Sequence, residues 1–506
     1  MKTITRRGFL KSAVLTAAAS SVPFPSFTQE ISPSDEIRAA VVGFRGRGES
    51  HISGFSGLKG VRLTGLCDVD RNVLGREEKR WKDKGVNVET YTDVRKLLES
   101  KNVDVIGIAT PNHWHALAAI WAIQAGKDVY LEKPVSHNVW EGRKIVEAAR
   151  KYDRIVQAGT QSRSSRGIKE AVAWVRAGNI GKILAVHGLC YKPRPSIGES
   201  EGPQKVPDQV DYDLWIGPAP LVPPRRNSKN PEFGTIHYDW HWFWDYGSGD
   251  LGNQGIHQMD IARWFLGVDH LSPRVFSVGG RLGYVDDGET PNTQIVYHDY
   301  PGAPLIFEVR GLPEGTGAKN MDSFKHPKTG AWKVKDKDGE VKEIKASVAV
   351  VIECEDGYVL VPSYTAATAF DKKGQEIKSW SGSSNHFQNF IDAVRSRKYT
   401  DLRADIWEGH LSSALCHTGN ISYRLGKTAS TREIRQELQN DDRALEAFER
   451  MEQHLTANGV DLNATKATIG PALKMDPKTE KFIGNTEADA LLTREYRKPF
   501  VVPERV

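Results

Sequence analysis

A glycine-rich turn followed by an acidic residue carries the first chemical signal in the sequence. Asp68 lies twenty residues beyond the last glycine of the turn, Gly48. Glycines at such a turn let a pyrophosphate approach a helix N-terminus, and the acid accepts hydrogen bonds from the adenosine ribose. The spacing therefore indicates a dinucleotide-binding unit. The usual middle glycine is replaced by Arg45. The residues of the turn are Gly43, Phe44, Arg45, Gly46, Arg47 and Gly48.

The elements that must position this turn alternate between strands and helices. Such alternation predicts an α/β fold with a doubly wound parallel sheet, a Rossmann domain over residues 35–158. A short buried strand leads directly into the turn, and the next one ends just before Asp68. The predicted strands cover residues 37–43, 61–66, 103–109, 128–131 and 155–158, and the predicted helices cover 114–124 and 139–152.

The segment 237–247 concentrates aromatic side chains beside carboxylates. If the segment is extended, alternate residues such as Trp240 and Trp242 lie on one face. Aromatic faces suit sugar rings, which present apolar C–H surfaces and hydroxyl rims. An aromatic core cluster is the alternative interpretation. His237 and His241 have the spacing of a metal pair, but no third ligand is evident, and we expect no metal.

The N-terminal residues resemble a twin-arginine export signal. Arg6 and Arg7 precede Phe-Leu, an apolar stretch at 12–22 and a Pro/Ser-rich segment at 23–34. Residues 1–34 are therefore expected to be signal and linker, and the protein to reach the periplasm through the twin-arginine translocation machinery. A disordered basic tail is the alternative. Because this route exports folded proteins, a cofactor is expected to be acquired before export.

The overall composition excludes several classes of function. The 506 residues include 69 Lys and Arg against 64 Asp and Glu, a net charge of +5. Four of the positive charges lie in the first eleven residues, so the remainder is nearly neutral, which argues against nucleic-acid binding. No apolar run approaches the roughly 18 residues that span a membrane. Four dispersed cysteines predict free thiols rather than a disulfide scaffold.

Further motifs point to one protein family. Thr110-Pro111-Asn112 follows a predicted strand, and Glu132-Lys133-Pro134 follows the next. A histidine-bearing helix is predicted at 255–264, and another helix at 386–394. With the glycine turn and Asp68, these motifs resemble the Gfo/Idh/MocA family, named after glucose-fructose oxidoreductase and inositol dehydrogenase. The resemblance covers residues 37–427.

The resemblance implies a second α/β domain at residues 159–427, built on a largely antiparallel, open-faced sheet. In the family the open face often makes oligomer contacts, so a homo-oligomer is expected. Strand patterns at 183–191, 275–279, 293–297 and 305–309 agree with such a sheet. A long surface excursion is predicted at 192–231, and a hairpin or loop insertion at 311–350. Residues 428–506 are expected to form an extension packed outside the core.

The resemblance also implies catalytic roles. Lys133, just past a strand end, would contact the substrate hydroxyl and stabilise negative charge on its oxygen. His257 would act as the acid/base that removes the hydroxyl proton. Asn253 stands four residues earlier, where many relatives place an aspartate. The negative charge that would stabilise a protonated His257 is therefore missing. On one helix, Asn253 and His257 would lie on the same face.

Cofactor and substrate contacts complete the predicted site. Asp68 favours NAD, although Arg45, Arg47 and Arg71 leave room for the 2′-phosphate of NADP. The cofactor contacts are expected from Gly43, Phe44, Arg45, Gly46, Gly48, Asp68, Thr110, Asn112, His115, Glu132, Lys133 and Gln161. The substrate contacts are expected from Arg163, Tyr191, Trp240, His241 and Trp242.

Three functions are compatible with these residues. The leading hypothesis is an exported NAD(P)-dependent oxidoreductase acting on a sugar hydroxyl, with its cofactor retained because the periplasm offers little free nicotinamide. The alternative is redox-neutral glycoside cleavage, as in glycoside hydrolase family 109, where transient oxidation acidifies a neighbouring C–H bond and permits elimination of the aglycone. A non-catalytic sugar-binding protein is the third.

Overall fold

Six parallel strands form the N-terminal sheet of the computed structural model, which describes residues 36–225, 234–335 and 338–506. The predicted export signal lies outside the described residues. The strands are β1 (Ile37–Val42), β2 (Val61–Cys67), β3 (Glu89–Tyr91), β4 (Val105–Ile108), β5 (Asp128–Leu131) and β6 (Val156–Ala158). Their order is β3-β2-β1-β4-β5-β6, so the direction of winding reverses between β1 and β4. Ligands of such sheets bind at the carboxyl ends of the strands beside this reversal.

Five helices connect these strands. They are α1 (Arg47–Ser56), α2 (Arg71–Lys82), α3 (Val94–Glu99), α4 (Asn112–Gln124) and α5 (Val139–Lys151). Polar side chains begin several of them: Asp70 accepts hydrogen bonds from the backbone N–H groups of Asn72 and Val73, and Asn138 accepts one from Glu141. The strands are buried on both faces, as β4 shows with four buried residues. The predicted Rossmann fold is confirmed.

A mostly antiparallel sheet of twelve strands follows. Its main path runs β16-β15-β14-β13-β7-β10-β9-β8-β18-β17, and only β7 and β10 pair in parallel among its described strands. The strands are β7 (Ile183–Tyr191), β8 (Arg274–Gly280), β9 (Thr293–His298), β10 (Leu305–Arg310), β13 (Val348–Cys354), β14 (Gly357–Val361), β15 (Ala366–Asp371), β16 (Glu376–Ser381), β17 (Lys427–Ala429), β18 (Ala467–Ile469), β19 (Leu473–Asp476) and β20 (Lys481–Phe482). Two further strands, β11 (Trp332–Lys335) and β12 (Val341–Ile344), pair with each other and form the hairpin predicted within 311–350.

Helices cover one face of this sheet. Side chains of α6, α9 and α11 pack with residues of β7, β9 and β10 in one apolar core. The helices of this part of the chain are α6 (Arg166–Arg176), α7 (Tyr212–Ile216), α8 (Gly249–Asn253), α9 (Gly255–Leu266), α10 (His386–Ser396), α11 (Ile406–Arg424), α12 (Thr431–Leu438), α13 (Asp442–Ala457) and α14 (Thr486–Ala490). This core fixes α9, which carries His257, against the sheet.

The other face of the sheet, expected to be open, is covered by the chain itself. Phe448 and Leu455 of α13 pack on Phe276 and Ile295 of the sheet. Beside them, Trp332 packs within a second apolar cluster on the same sheet. The extension predicted to lie outside the core therefore builds part of it, and it adds β18 and β19 to the sheet. The reason is that its helices carry an apolar stripe that matches the apolar residues of the sheet face.

Three further observations bear on function. All four cysteines are buried and unpaired. Within the described ranges, no helix is long and apolar enough to cross a membrane. The same part of the chain contains no group of three or more His, Cys, Asp or Glu side chains that could hold a metal ion.

Candidate active site

The glycine turn joins β1 to α1. Gly43 has φ +71°, and a Cβ at this position would lie 2.9 Å from the backbone of Thr110, so only glycine fits. Gly46 has φ +86° immediately before α1, with open space where its side chain would be. The open space thus lies at a helix N-terminus, where backbone N–H groups and the helix dipole favour a phosphate. Glycine at 46 serves this purpose although Arg45 stands at the usual position.

Asp68 directly follows β2 and forms a hydrogen bond with the glycine turn. Its carboxylate accepts hydrogen bonds from the backbone N–H groups of Phe44, at 3.1 Å, and Asp70, at 3.0 Å. Burial raises the pKa of Asp68, and the two backbone hydrogen bonds oppose that shift. Each carboxylate oxygen keeps a further lone pair for another donor. Asp68 therefore stands where a ribose hydroxyl is expected, on a rigid support.

A cavity of about 650 Å³ opens at the carboxyl ends of the strands. Phe44 and Gly48 are buried beneath the turn rather than at the cavity wall. The predicted residues that line it are Gly43, Arg45, Gly46, Asp68, Thr110, Asn112, His115, Glu132, Lys133, Trp240, His241 and Asn253. The structure therefore brings the predicted cofactor turn, the predicted catalytic lysine and part of the aromatic segment to one space.

Lys133 follows β5 and reaches across to the second domain. Its ammonium donates a 2.8 Å hydrogen bond to the backbone carbonyl oxygen of Asn253 and lies 3.5 Å from the side-chain oxygen of the same residue. Burial lowers the pKa of Lys133, while the nearby Glu132 carboxylate raises it. The ammonium is thereby held at the cavity wall, with donors left for a substrate oxygen.

Glu132, which precedes Lys133 in the chain, is the centre of a buried hydrogen-bond network. Its carboxylate accepts hydrogen bonds from Arg47 at 2.7 Å, His51 at 3.1 Å and Gln161 at 3.2 Å. Burial raises the pKa of Glu132, but the hydrogen bond from His51 and the charge of Arg47 hold this pKa well below its ordinary value. Gln161, predicted to contact the cofactor, is used in this network and does not line the cavity. Gln161 therefore helps to hold the Glu132 carboxylate in place.

His257 lies in the first turn of α9. Its ring centroid is 5.1 Å from that of Tyr364, and its Nδ1 atom is buried without a hydrogen-bond partner. Burial, followed by the charge of Lys133, lowers the pKa of His257 to about 3. Asn253 and His257 do not share one continuous helix, because α8 ends at Asn253 and α9 begins at Gly255. Both nevertheless lie close to Lys133, although His257 itself is not among the residues lining the cavity.

His241 provides a second imidazole at the cavity wall. Its ring stacks on Trp240, with centroids 3.6 Å apart, and its Nδ1 contacts the Tyr238 carbonyl oxygen at 2.6 Å. Burial and the charge of Lys133 lower the pKa of His241 to about 3, although the hydrogen bond with that carbonyl oxygen raises it. His241 thus places a neutral, oriented imidazole at the wall of the cavity that Lys133 also lines, where the ring can accept a hydrogen bond from a bound hydroxyl.

The aromatic segment does not have the extended conformation that would place alternate residues on one face. Gly234–Tyr238 forms a π-helical turn and Asp239–Trp242 a 3₁₀ helix. Trp240 and Trp242 are buried in an aromatic cluster that also contains Trp215 and Tyr246. The alternative interpretation, a core cluster, is therefore correct for Trp242, which does not line the cavity. In this helical conformation Trp240 and Trp242 pack against the neighbouring aromatic residues of the cluster, and their burial stabilises the segment.

Arg163 and Tyr191 were expected to contact the substrate and lie elsewhere. The Arg163 guanidinium is buried and pairs with Asp260 at 2.9 Å and Glu408 at 3.0 Å. The Tyr191 hydroxyl donates a 2.8 Å hydrogen bond to Glu308 and lines a separate cavity of about 430 Å³ on the other face of the sheet. Successive residues of β7 alternate between the two faces, and Tyr191 points away from the first cavity.

Several residues at the site were not predicted. Lys192, Arg194, Tyr238 and Gln254 line the cavity, and the first two belong to the excursion predicted at 192–231. The signal for Lys192 and Arg194 was the length of that excursion, because connections this long in a compact domain are often functional. No spacing rule identifies such residues in advance.

The excursion also contacts the chain beside Asp68. The backbone N–H of Asp211 donates to the Val69 carbonyl oxygen, and that of Arg71 donates to Gln209, each at 3.0 Å. His237 lies 3.1 Å from the Asp70 carboxylate. These contacts tie the chain that follows β7 to the strand end that presents Asp68. We call residues 206–217 and 234–241 the covering segment.

The residues present fit a nicotinamide dinucleotide. The Thr110 hydroxyl and the Asn112 side-chain oxygen are buried beside the cavity and have no hydrogen-bond partner in the described structure. Buried polar atoms normally have partners, so these two indicate a ligand. The open space at Gly46, the carboxylate of Asp68 and these two oxygens all border the same cavity. The fold and site define a Rossmann-type dinucleotide-binding protein with a second, substrate-facing domain.

Comparison with known proteins names the family. Residues 37–160 match the model of the Gfo/Idh/MocA oxidoreductase family for its NAD-binding Rossmann fold, and residues 177–313 match the model for its C-terminal α/β domain. Together the two matches cover more than half of the chain. The chain belongs to the Gfo/Idh/MocA oxidoreductase family, and its N-terminal domain is an NAD-binding Rossmann domain.

Individual relatives are similar over part of their length. Inositol 2-dehydrogenase from Salmonella typhimurium is 28% identical over 36% of this chain and 53% of its own. An α-N-acetylgalactosaminidase from Shewanella oneidensis is 32% identical over 37% of this chain and 46% of its own. The chain thus spans about half the length of these curated relatives. The WlbA dehydrogenase of Bordetella pertussis, solved with NADH and UDP-GlcNAcA, shares the fold, with a TM-score of 0.51 at 18% identity over 75% of this chain and 94% of that one.

Proposed function

We propose that the protein is an exported NAD(P)-dependent oxidoreductase that acts on a hydroxyl group of a sugar or sugar derivative and keeps its cofactor bound. One observation carries the proposal: the Lys133 ammonium faces the same cavity as the Gly46 opening and the Asp68 carboxylate. A dinucleotide seated on the turn has its nicotinamide beside the strand ends, where Lys133 stands. Family membership supports the same chemistry.

The chain's own residues have distinct roles in this reaction. When bound, NAD accepts a hydride from the carbon that carries the hydroxyl. Lys133 donates a hydrogen bond to the hydroxyl oxygen and stabilises the charge that develops there, while the Asn253 carbonyl oxygen fixes the direction of the ammonium. His257 takes the hydroxyl proton, and His241 is the second candidate because it lines the cavity. Both imidazoles are neutral before the substrate binds and are able to accept a proton.

The covering segment supports cofactor retention. Its hydrogen bonds to Val69 and Arg71 and the contact between His237 and Asp70 join it to the chain beside Asp68. If a dinucleotide leaves past Asp68, these contacts would have to break first, which would slow its dissociation. A retained cofactor also suits export of the folded protein and a compartment that supplies little nicotinamide.

Redox-neutral glycoside cleavage is the second candidate, and the same enclosure favours it. In this reaction a ring carbon loses hydride to the cofactor, the neighbouring C–H loses its proton, and the aglycone leaves with its electron pair. Water then adds to the double bond and the hydride returns, so the cofactor ends oxidised as it began. The similarity to the Shewanella α-N-acetylgalactosaminidase adds support.

Three expectations remain proposals. The twin-arginine signal at residues 1–34 and the periplasmic location rest on the sequence of the leader. The homo-oligomer rests on the family resemblance, and the face expected to form it is covered by α12 and α13. The domain divisions at residues 35–158, 159–427 and 428–506 likewise stay predictions.

Mass spectrometry of the ligand released on denaturing extensively dialysed protein tests the proposal. Near-stoichiometric NAD(H) or NADP(H) is expected, and its identity decides between the two cofactors. A matched Gly46→Val protein, in which the φ of +86° is strained, should carry little or none. Recovery of no nicotinamide from the wild type would contradict retention and would weaken the glycosidase candidate with it.

A further inference from the structure

The charges around the cavity are not evenly distributed. Near Asp68 the wall also carries Asp70 and Asp93. Near Lys133 it carries Lys192 and Arg194 instead, and both residues come from the chain just after β7. The substrate side of the cavity is thus cationic, and the question is whether carboxylates of the protein neutralise those cations.

Arg194 is neutralised within the protein. Its guanidinium forms two hydrogen bonds with the Asp250 carboxylate, at 2.7 and 2.9 Å. Asp250 is almost fully buried in α8, so its charge is fully engaged by this fork-like pair. Glu132, the other carboxylate near Lys133, is engaged by Arg47 and His51. The carboxylates of Asp250 and Glu132 are therefore both already engaged by side chains of the protein.

Among the described residues, the hydrogen-bond partner of the Lys192 ammonium is the neutral side chain of Gln254. Its ammonium donates a 2.9 Å hydrogen bond to the side-chain oxygen of Gln254. The amide nitrogen of Gln254 donates to the Tyr364 hydroxyl at 2.6 Å, which keeps the amide oxygen directed toward Lys192. In the described parts of the chain, neither Lys192 nor Lys133 has a carboxylate oxygen within 4.0 Å. Two ammonium groups therefore face one cavity without an acidic partner.

The positive charges of the two lysines also affect the pKa values of the neighbouring imidazoles. The charges of Lys133 and Lys192 both lower the pKa values of His241 and His257, in addition to burial. A half-buried cation without a counter-ion is costly, and an anionic ligand removes that cost when it binds. A neutral sugar would satisfy the hydrogen-bond donors but not the charge.

We propose that the substrate is an anionic sugar, with its carboxylate or sulfate group on Lys192 and its reacting hydroxyl on Lys133. This inference rests on the proposed function, since it names the substrate class of that site. Both anions offer several acceptor oxygens to an ammonium, and charge-assisted hydrogen bonds are about twice as strong as neutral ones. Lys192 then selects the substrate, whereas Lys133 serves the reaction.

The test uses the purified holoenzyme and three matched probes in both anomers: 4-nitrophenyl glucuronide, glucoside 6-sulfate and glucoside. Cofactor reduction, aglycone release and calorimetric binding are measured for each. We expect kcat/KM and affinity for one of the anionic probes to exceed those for the glucoside by at least about tenfold. A carboxylate or a sulfate preference identifies which anion is recognised.

Variants of Lys192 assign that preference to one side chain. Lys192→Gln should lower the anionic-to-neutral ratio by about tenfold or more, and Lys192→Arg should keep most of it. Lys169→Gln, on the exposed side of α6, is the matched control and should leave the ratio unchanged. Bound cofactor and circular dichroism verify that each variant is folded.

Each outcome decides the inference. Equal use of the three probes would overturn it while leaving the proposed oxidoreductase in place. A preference that survives Lys192→Gln would overturn the assignment to Lys192. If no probe binds and none changes the cofactor or releases aglycone, the proposed function fails and the inference fails with it.

Discussion

The Lys133 ammonium lies 2.8 Å from the backbone carbonyl oxygen of Asn253, across the boundary between the Rossmann sheet and the substrate-facing domain. A backbone carbonyl orients the ammonium without neutralising it, so the charge stays available to a substrate oxygen. An aspartate side chain at position 253 would compete for that charge. The departure from the family pattern at Asn253 is therefore compatible with catalysis by Lys133.

Replacing Lys133 by methionine should abolish turnover without unfolding the protein. Loss of one charged donor to a developing oxyanion lowers kcat by about 10²- to 10³-fold. The thioether chain keeps the apolar packing, so cofactor content and thermal unfolding should match the wild type. Steady-state kinetics on protein of equal cofactor occupancy measures the effect. Normal kcat in Lys133→Met would remove this residue from the mechanism.

The pH profile should report Lys133 and the two neutral histidines. Burial lowers the pKa of Lys133 from 10.5, so activity that needs the ammonium should be lost as pH rises through a value below 10.5. His257 has a pKa of about 3, so it stays neutral, and able to accept a proton, as pH falls well below 6.5. A kcat/KM profile with an acidic limb centred near 6.5 would show that an ordinary histidine controls the rate instead.

Asp68→Ala should weaken NAD binding and relax the choice between NAD and NADP. The substitution removes an acceptor for the ribose and the brace on the Phe44 N–H group. Loss of hydrogen bonds to a charged group costs about 1.5 to 3 kcal/mol, or roughly tenfold to a hundredfold in affinity. Fluorescence titration of the stripped protein with both cofactors measures it. Glu78→Gln, exposed on α2, is the control, and an unchanged preference in Asp68→Ala would exclude the ribose role.

His237→Ala should accelerate cofactor release. The substitution deletes the 3.1 Å contact with Asp70 and so loosens the covering segment, while the turn and Asp68 keep their hydrogen bonds. The rate at which bound nicotinamide exchanges with excess cofactor should rise several-fold, with kcat little changed. His270→Ala, beside Tyr300 and away from the cavity, serves as the control. Equal exchange rates in wild type and His237→Ala would show that the segment does not limit release.

Tyr191→Phe should affect stability and not substrate binding. The lost hydroxyl donates to Glu308, whose carboxylate is also paired with Arg310 and Arg450. Removing a single hydrogen bond of this kind costs about 1 to 3 kcal/mol of unfolding free energy. Chemical denaturation and substrate KM measured in parallel separate the two effects. A raised KM at unchanged stability would return Tyr191 to the substrate site.

Local patterns in the sequence were sufficient for the Rossmann domain. Buried strands alternating with helices, the turn and Asp68 lie within one contiguous stretch, so their spacing defines their positions in the fold. Lys133 could be placed for the same reason, since it directly follows a strand. The cofactor half of the site was therefore largely predictable from the residues.

The substrate half was not predictable in the same way. Arg163 looked like a pocket residue because a charged side chain near a domain junction has no sequence mark that separates a ligand contact from a buried ion pair. The segment at 237–247 left two interpretations open, an extended sugar-binding face and an aromatic core cluster, and tertiary packing of its indole rings decided its conformation. Lys192 and Gln254 meet only through the fold, sixty-two positions apart.

The most direct test of the account follows the bound nicotinamide itself. Purified protein with its retained cofactor is mixed with glycosides, and the near-ultraviolet absorbance of reduced nicotinamide is recorded rapidly, beside Lys133→Met of equal cofactor content. We expect a sugar substrate to produce reduced nicotinamide in the wild type and none in the variant, with net accumulation for an oxidoreductase and a transient for redox-neutral cleavage. Sugar turnover with no reduced nicotinamide at any time, or an identical trace from Lys133→Met, would contradict hydride transfer assisted by Lys133.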